Sequence, residues 1–402
     1  MDRKKVLVFE SYPFFSGAQR VSANFCKVLK DNNIHVTLLL ADDSKNILSE
    51  KFGPVVDEII LLNTSSKLTQ YGNAERWFKP ANFFGSVIMG LIPFYLQCIK
   101  VFRKNKFDSF YFCDPRGAVM MAPSMFFKGK KICYLQGKNK LSERLAKMIY
   151  LSYTDYLLCP STDVLESLPD SPKKMVLNYG IDFSQYKDID PLPVRNEIEQ
   201  MLRQEENGDR TKLLYAGLIR PQKGVHHLVT AIKDLKNNIS ETEMPVLFIL
   251  GNPKNEAEDG FKKYLETFIE KNELTKYIYW LGWKDNVLEW MKNADYFIFP
   301  TIDKEECNFE GFDKVIESSE GSPVVLIESS LSGLYTLASK VTGVNETITD
   351  GHNGLMYNPN LPNDLSDNLI KIIKKKPKFI DFPNIERFSP KTFASKIMSI
   401  IN

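Results

Sequence analysis

The chain has 402 residues, 43% of them hydrophobic and 25% charged. That is a globular composition, long enough for two α/β domains with cores of their own, and it excludes a disordered chain. Six scattered cysteines with no C-x2-C pair exclude a cysteine metal cluster and suit a reducing, cytoplasmic protein. The net charge of +2 hides an asymmetry: residues 1–190 carry 26 Lys and Arg against 19 Asp and Glu, and residues 191–402 carry 26 against 31. A basic first half suits an anionic membrane surface or a lipid phosphate, and equally an ordinary solvated face; no nucleic-acid partner is expected.

The N-terminus leads directly into the apolar run Lys5–Glu10, so no signal peptide is expected. That run has the pattern of a buried parallel strand. The loop 11–17 follows, then a helix from about Ala18 to Asp31 with Val21, Phe25, Val28 and Leu29 on one face. Further strands are predicted at His35–Leu40, Glu58–Leu62, Asp108–Cys113, Lys131–Leu135, Asp155–Cys159 and Lys174–Leu177, with helical segments between them. The apolar stretch Phe83–Leu96 is too short to cross a bilayer. The aromatic region from Trp77 to Phe102, flanked by Arg76, Lys79, Lys100, Arg103 and Lys104, reads either as a membrane-resting surface or as a core helix.

Residues 187–210 are rich in Asp, Glu, Pro and Asn and read as an exposed linker with a short helix. The alternation then restarts, with strands at Lys212–Ala216, Val246–Gly251, Ile278–Leu281, Tyr296–Pro300 and Tyr335–Ser339. Helices are expected at Val225–Lys236, Glu256–Lys271, Asn286–Lys292, Asp364–Lys375 and Pro390–Ile400. Alternating strands and helices imply doubly wound parallel sheets, whose ligands bind at the carboxyl ends of the strands. Domains are therefore expected at 1–190 and 211–378, joined by a linker at 191–210 and followed by a tail at 379–402.

The stretch Glu320–Glu328 is the most telling. Ser322 suits an N-cap, Pro323 the first helical position, and Gly333 a left-handed stop. A helix starting there aims backbone amides and a positive dipole end at an anion. Glu320 stands at its lip, and Glu328 lies inside it among apolar neighbours. Gly17 sits where backbone can approach a ligand, a strand ends at Gly217, and Arg220 and Lys223 are cations placed to neutralise a diphosphate. A helix-start glycine and ordinary surface cations read the same way. The loop at Gly17 is not G-x-G-x-x-G, which disfavours NAD. His226 and His227 are adjacent, but with no third ligand nearby in sequence they read as packing or surface residues.

Taken in order, these features resemble the retaining glycosyltransferases of family 4, which have the GT-B fold. The resemblance rests on residues 16–21, 178–182 and 217–224, on Leu281-Gly282-Trp283 and 294–300, on the Glu-x7-Glu pair Glu320 and Glu328, and on 343–346 with 350–354. It implies two Rossmann-like domains facing across a cleft, an N-terminal one for the acceptor and a C-terminal one for a nucleotide sugar, with the tail helix returning to the first. It also implies roles. Glu320 would hold donor-sugar hydroxyls and Glu328 the ribose. Lys223 and Arg220 would meet the diphosphate, and Gly17, Gly217, Gly321, Ser322 and Val324 would contact the donor through their backbone. Gln136 and Lys138 would meet the acceptor. No metal is expected, and the donor would be linked to UDP or GDP. The acceptor would be a glycan or lipid-linked sugar at the inner face of a bacterial membrane.

Three departures stand out. Leu218 occupies the place of the usual cation, Gln136 that of a common histidine, and about twenty residues, 301–319, are inserted ahead of Glu320 where they could form a lid. A noncatalytic nucleotide-sugar-binding subunit and an epimerase of similar fold are the alternatives.

Overall fold

A computed structural model describes residues 3–15, 17–44, 46–64, 66–69, 88–204, 210–318 and 320–402. The chain divides into two units, Met1–Ile181 with Glu386–Asn402, and Asp182–Ile385.

In the first unit, strands β1 (Lys5–Glu10), β2 (His35–Leu40), β3 (Glu58–Leu61), β4 (Ser109–Cys113), β5 (Lys130–Tyr134), β6 (Tyr156–Cys159) and β7 (Lys174–Val176) form a parallel sheet. Their order is β3-β2-β1-β4-β5-β6-β7. Val6 to Phe9 and Leu38 to Leu40 are buried, as continuous apolar runs must be when helices cover both faces. The chain first winds outward from β1 through β2 and β3, then returns to place β4 on the other side of β1. The carboxyl ends of β1 and β4 therefore flank the topological switch point, where such sheets hold ligands.

Residues 70–87, with Trp77, Arg76 and Lys79, lie outside the described residues. The helix Ile88–Lys104 buries Leu91, Phe94, Cys98 and Phe102 in the core and leaves Ile92 and Leu96 exposed. Among the described residues no helix is long and apolar enough to cross a membrane. The tail helix Pro390–Ile401 belongs to this unit. Ser389 caps it, accepting from the Thr392 amide at 3.1 Å, and its Phe393 ring packs against Gly180. Lys130 and Lys396 each reach across, to the Ile400 and Val176 carbonyls respectively.

The second unit holds β8 (Lys212–Ala216), β9 (Val246–Leu250), β10 (Ile278–Gly282), β11 (Tyr296–Phe299), β14 (Tyr335–Ser339) and β15 (Gly354–Tyr357), all parallel, in the order β10-β9-β8-β11-β14-β15. Its switch point lies between β8 and β11. A separate antiparallel pair, β12 (Lys304–Glu306) and β13 (Val315–Glu317), comes from the 301–319 insertion.

The expected linker is different from a free connector. Leu192–Gln204 is a helix of 13 residues, and its Val194, Ile198 and Leu202 are buried with Leu214, Phe248, Trp290 and Phe297. Those three residues recur every four positions, which makes an apolar stripe. The acidic residues around them masked it in composition. Ile198→Ala should therefore cost about 2–4 kcal/mol, the usual penalty for truncating a buried aliphatic side chain, read as a lower urea midpoint. A midpoint unchanged from wild type would restore the linker reading.

Candidate functional site

At the second unit's switch point, two loops meet. The first runs from β8 through Gly217, Arg220 and Lys223 to Gly224. Gly224 has φ +69°, and a Cβ there would stand 1.8 Å from the Pro300 carbonyl oxygen, so only glycine lets this loop lie against the end of β11. The second loop delivers Glu320. The Lys223 ammonium donates a hydrogen bond to Glu320 Oε1, an ion pair of half-buried groups. Burial raises the Tyr215 phenol far above its usual range, and the nearby Glu320 charge raises it further. Its hydroxyl donates to the Leu218 carbonyl at 2.8 Å. Leu218 thus supplies a backbone acceptor where a cation was looked for.

Arg220 is held by a different carboxylate. Its Nε donates to Gln222 Oε1 at 3.1 Å and lies 3.7 Å from Oε1 of Glu258, a carboxylate almost wholly buried. Glu258 sits in the first turn of the helix Glu256–Lys271, where the dipole favours a negative charge.

The helix after Glu320 begins one residue later than expected, at Val324, and runs to Leu331. Pro323 takes the N-cap position with φ −65° and ψ 107°, and Leu326 N–H returns to its carbonyl at 3.0 Å. Ser322 is therefore not the cap. It is buried, and its Oγ has no hydrogen-bond partner among the described residues. Gly343, at φ +80°, lies beneath; a Cβ there would be 2.3 Å from the Gly321 carbonyl oxygen. That contact holds the Gly321–Ser322 peptide ahead of the helix. Glu328 is half-buried rather than buried, one turn and a little more into the helix. Gly333 does end the helix left-handed, with φ +73° and the Leu334 amide bonded back to Ser329 at 3.0 Å. Asn353, fully buried just ahead of β15, braces this helix by donating to the Ser330 hydroxyl at 2.9 Å, and donates also to the Thr347 carbonyl at 2.6 Å.

The first unit places a different constellation at its own switch point. Glu10 ends β1, and Asp114 follows β4 with φ +59°, a left-handed backbone that stores strain at a non-glycine residue. Gln136, after β5, donates its backbone N–H to Asp114 Oδ1 at 3.0 Å. Its amide group donates to the Ala18 carbonyl at 3.2 Å, beside Gly17. Gly17 starts the helix Gly17–Asp31 and is exposed, with nothing within 4 Å of where a Cβ would sit. Lys138 lies beyond Gln136 and is half-buried. Glu10 is buried against Gln19, which donates to its Oε2 at 3.2 Å. Burial pushes the Glu10 carboxyl up to about 7, with Gln19 and Ser22 offsetting only part of the effect. Burial likewise raises Asp114 to about 6, against the Gln136 amide and Arg116. These two carboxyls were missed in the sequence. A charged residue closing an otherwise apolar strand was the available signal at Glu10.

The insertion is docked on its own unit. Ile302 N–H bonds the Gln222 carbonyl at 3.3 Å, and Phe309 packs on Phe261 with ring centroids 4.8 Å apart. Ile302, Cys307 and Ile316 form a small core of their own. Glu305, at its centre, accepts from both His226 and His227.

Residues 196–384 match the family described as glycosyl transferases group 1. This stretch is similar to a group 1 glycosyltransferase domain. It covers Arg220, Lys223, Glu320 and Glu328 together. An uncharacterized glycosyltransferase of Methanocaldococcus jannaschii is 26% identical over 60% of this chain, and the chain spans only 55% of that relative's length. An uncharacterized 41.2 kDa protein in the cps region of Klebsiella pneumoniae is 23% identical over 68% of this chain and 72% of its own. Among solved structures, HepE of Anabaena in complex with UDP gives a TM-score of 0.73 at 16% identity over 99% of both chains. HepE in complex with UDP-glucose gives 0.70 at 16% identity, again over 99% of each chain. The likeness shows the fold, GT-B with two Rossmann-like units, and the stretch similar to group 1 transferases lies in the second of them.

The Glu10 carboxyl is testable through pH. Its folded value lies above the ordinary 4.5, so the neutral form is favoured in the native state. The stability this confers is complete below about 4.5 and is lost as pH rises through about 7. The total is on the order of 3 kcal/mol. Glu10→Gln cannot ionise, so its melting temperature relative to wild type should climb between pH 5 and pH 8. A difference that stays flat across that window would show that Glu10 is not a buried neutral carboxyl.

Proposed function

We propose that the protein is a retaining glycosyltransferase that moves a sugar from a nucleoside diphosphate donor, uridine-linked, to a glycan or lipid-linked acceptor. The observation that carries this is the Lys223–Glu320 pair at the carboxyl edge of β8 and β11, set beside the amino end of the helix Val324–Leu331. The first amides of a helix have no intrahelical partner, so a cation and a helix start together make a diphosphate seat. Glu320 holds Lys223 until the donor enters. The diphosphate then takes the ammonium, and Glu320 is released to accept from the sugar hydroxyls. Glu328 accepts from the ribose. Gly217, Gly321, Ser322 and Val324 contribute backbone to the donor, and Arg220 adds charge from its station on Glu258.

In the reaction, the bond between the anomeric carbon and the phosphate oxygen breaks as the acceptor oxygen bonds to the same face. A diphosphate oxygen takes the acceptor proton, and the departing negative charge rests on Lys223 and the helix end. We assign no metal to this step. The acceptor falls to the first unit, with Gln136, Lys138 and the Glu10–Asp114 pair as hydrogen-bonding groups and Gly17 as an open helix start. The uridine assignment is supported by HepE, whose structures carry UDP and UDP-glucose. A role in surface polysaccharide assembly is supported by the Klebsiella relative from the cps region. The exposed Ile92 and Leu96, next to a basic helix end at Arg103 and Lys104, support contact with the inner face of an anionic membrane.

A second reading is favoured by Leu218 and by the engagement of Arg220 with Glu258: a nucleotide-sugar-binding subunit without turnover. A thermal-shift screen of UDP, GDP, ADP and CMP sugars followed by transfer assays separates the two. UDP sugars should raise the melting temperature, as any ligand of the native state does. Glu320→Ala should abolish transfer with the fold intact, and Glu328→Ala should weaken UDP binding about tenfold, the loss of one or two hydrogen bonds. Full transfer by Glu320→Ala would sink the assignment of the donor site. Donor binding by wild type without turnover on any acceptor extract would leave the subunit reading standing.

A further inference from the structure

His226 and His227 open the helix Val225–Asn238, directly after the Lys223 loop. Their rings converge, with centroids 4.2 Å apart, although neighbours on a helix normally diverge. Glu305 reaches them from β12. His226 Nε2 lies 2.7 Å from its Oε1 and His227 Nε2 lies 2.6 Å from its Oε2. Among the described residues these three form the one group of His, Cys, Asp or Glu able to hold a metal ion, their ligand atoms all within 4.8 Å of one another. The carboxylate and both rings are only partly exposed. Phe261 and Phe309 wall the site, their rings edge-on to His226 at 5.7 and 5.5 Å. On its other side the two histidines line a cavity of about 430 Å³ shared with Asp234, Ile302 and Tyr357, which leaves an ion held by them open to water.

We propose that His226, His227 and Glu305 bind one divalent transition-metal ion of the zinc class, which fastens the 301–319 hairpin to the helix behind the Lys223 loop. Two imidazole nitrogens and one carboxylate oxygen are the donor set of a three-ligand zinc site with a fourth, solvent position. Imidazole selects zinc, cobalt, nickel or copper over magnesium and calcium, which take all-oxygen shells. Without the ion, each Nε2 carries the proton that bonds Glu305. With the ion, the metal takes the place of both of those protons at Nε2, and each neutral ring carries its single N–H hydrogen on Nδ1 instead. The three atoms move apart by a few tenths of an ångström to reach ligand distances of about 2.0–2.2 Å from the centre. The hairpin then has a cross-link to the helix start, and Glu320 follows three residues after β13 ends. The ion is remote from bond-making; it sets how firmly the segment ahead of Glu320 is held. The proposal does not depend on the donor-site reading, because its test measures metal binding.

The experiment uses the full chain, untagged and stripped with a chelator, titrated with Co²⁺ as a spectroscopic probe and with Zn²⁺ by calorimetry. One equivalent of Co²⁺ should give visible ligand-field bands, displaced by Zn²⁺ and not by Mg²⁺. His227→Ala and Glu305→Gln, each checked for folding by circular dichroism, should lose the bands and weaken Zn²⁺ binding by at least about tenfold. Deleting even an outer-shell partner costs about 10–100-fold. His352→Ala, which removes the histidine paired with Asp381, should bind as wild type does. Zn²⁺ should also slow proteolysis within 301–319. Absence of one-equivalent binding would overturn the proposal, as would binding unaffected by His227→Ala and Glu305→Gln or lost in His352→Ala.

Discussion

The ion pair between Lys223 and Glu320 joins residues 97 positions apart, and much of the second unit is arranged to make it. A half-buried ammonium and a half-buried carboxylate are each costly without a partner, so each fixes the loop that carries the other. Around them the backbone is packed too tightly for side chains. Gly224 lies on the Pro300 carbonyl and Gly343 on the Gly321 carbonyl, both at positive φ. These approaches hold the end of β8, the end of β11 and the start of the helix Val324–Leu331 in one place. A helix start beside a cation is the kind of place that favours an anion, and an anion bound there would compete with Glu320 for Lys223.

The two units apply the same topology to different electrostatics. Each places its polar groups where the strand order reverses, because only there do neighbouring loops turn away from each other and leave a crevice. In the second unit the crevice is lined by cations, with Glu320 and Glu258 holding Lys223 and Arg220. In the first unit it holds two carboxyls that burial drives toward neutrality, Glu10 to about 7 and Asp114 to about 6. A cationic edge suits a diphosphate. Carboxyls whose protonated form burial favours, set beside an amide, suit hydroxyls, to which a carboxyl can accept when ionised and donate when protonated.

The 301–319 hairpin belongs to the second unit's wall. Its own small core, its aromatic contact with Phe261 and the clasp of Glu305 by two histidines anchor it on three sides. The two histidines that open the neighbouring helix gain their meaning from it, since Glu305 lies 78 and 79 residues further along the chain.

Much was legible from residue order alone. Apolar runs and helix periodicity marked nearly every strand of both sheets, because burial on both faces leaves no other composition for a parallel strand. The helix start between Glu320 and Glu328 could be read from residue order to within one residue, because capping and helix geometry are local. Other features depended on contacts distant in sequence. The stripe Val194, Ile198, Leu202 had meaning only once a core lay beneath it. Ser322 lost its capping role because Pro323, with φ fixed by its ring, took that position one residue later. The neutrality of Glu10 comes from burial at a strand end, and the His226–His227–Glu305 cluster from a hairpin folded back on a helix. Local chemistry in the sequence named most of the elements. Burial, pairing and close backbone approach are set by what lies across the fold, and they arose only when the chain closed on itself.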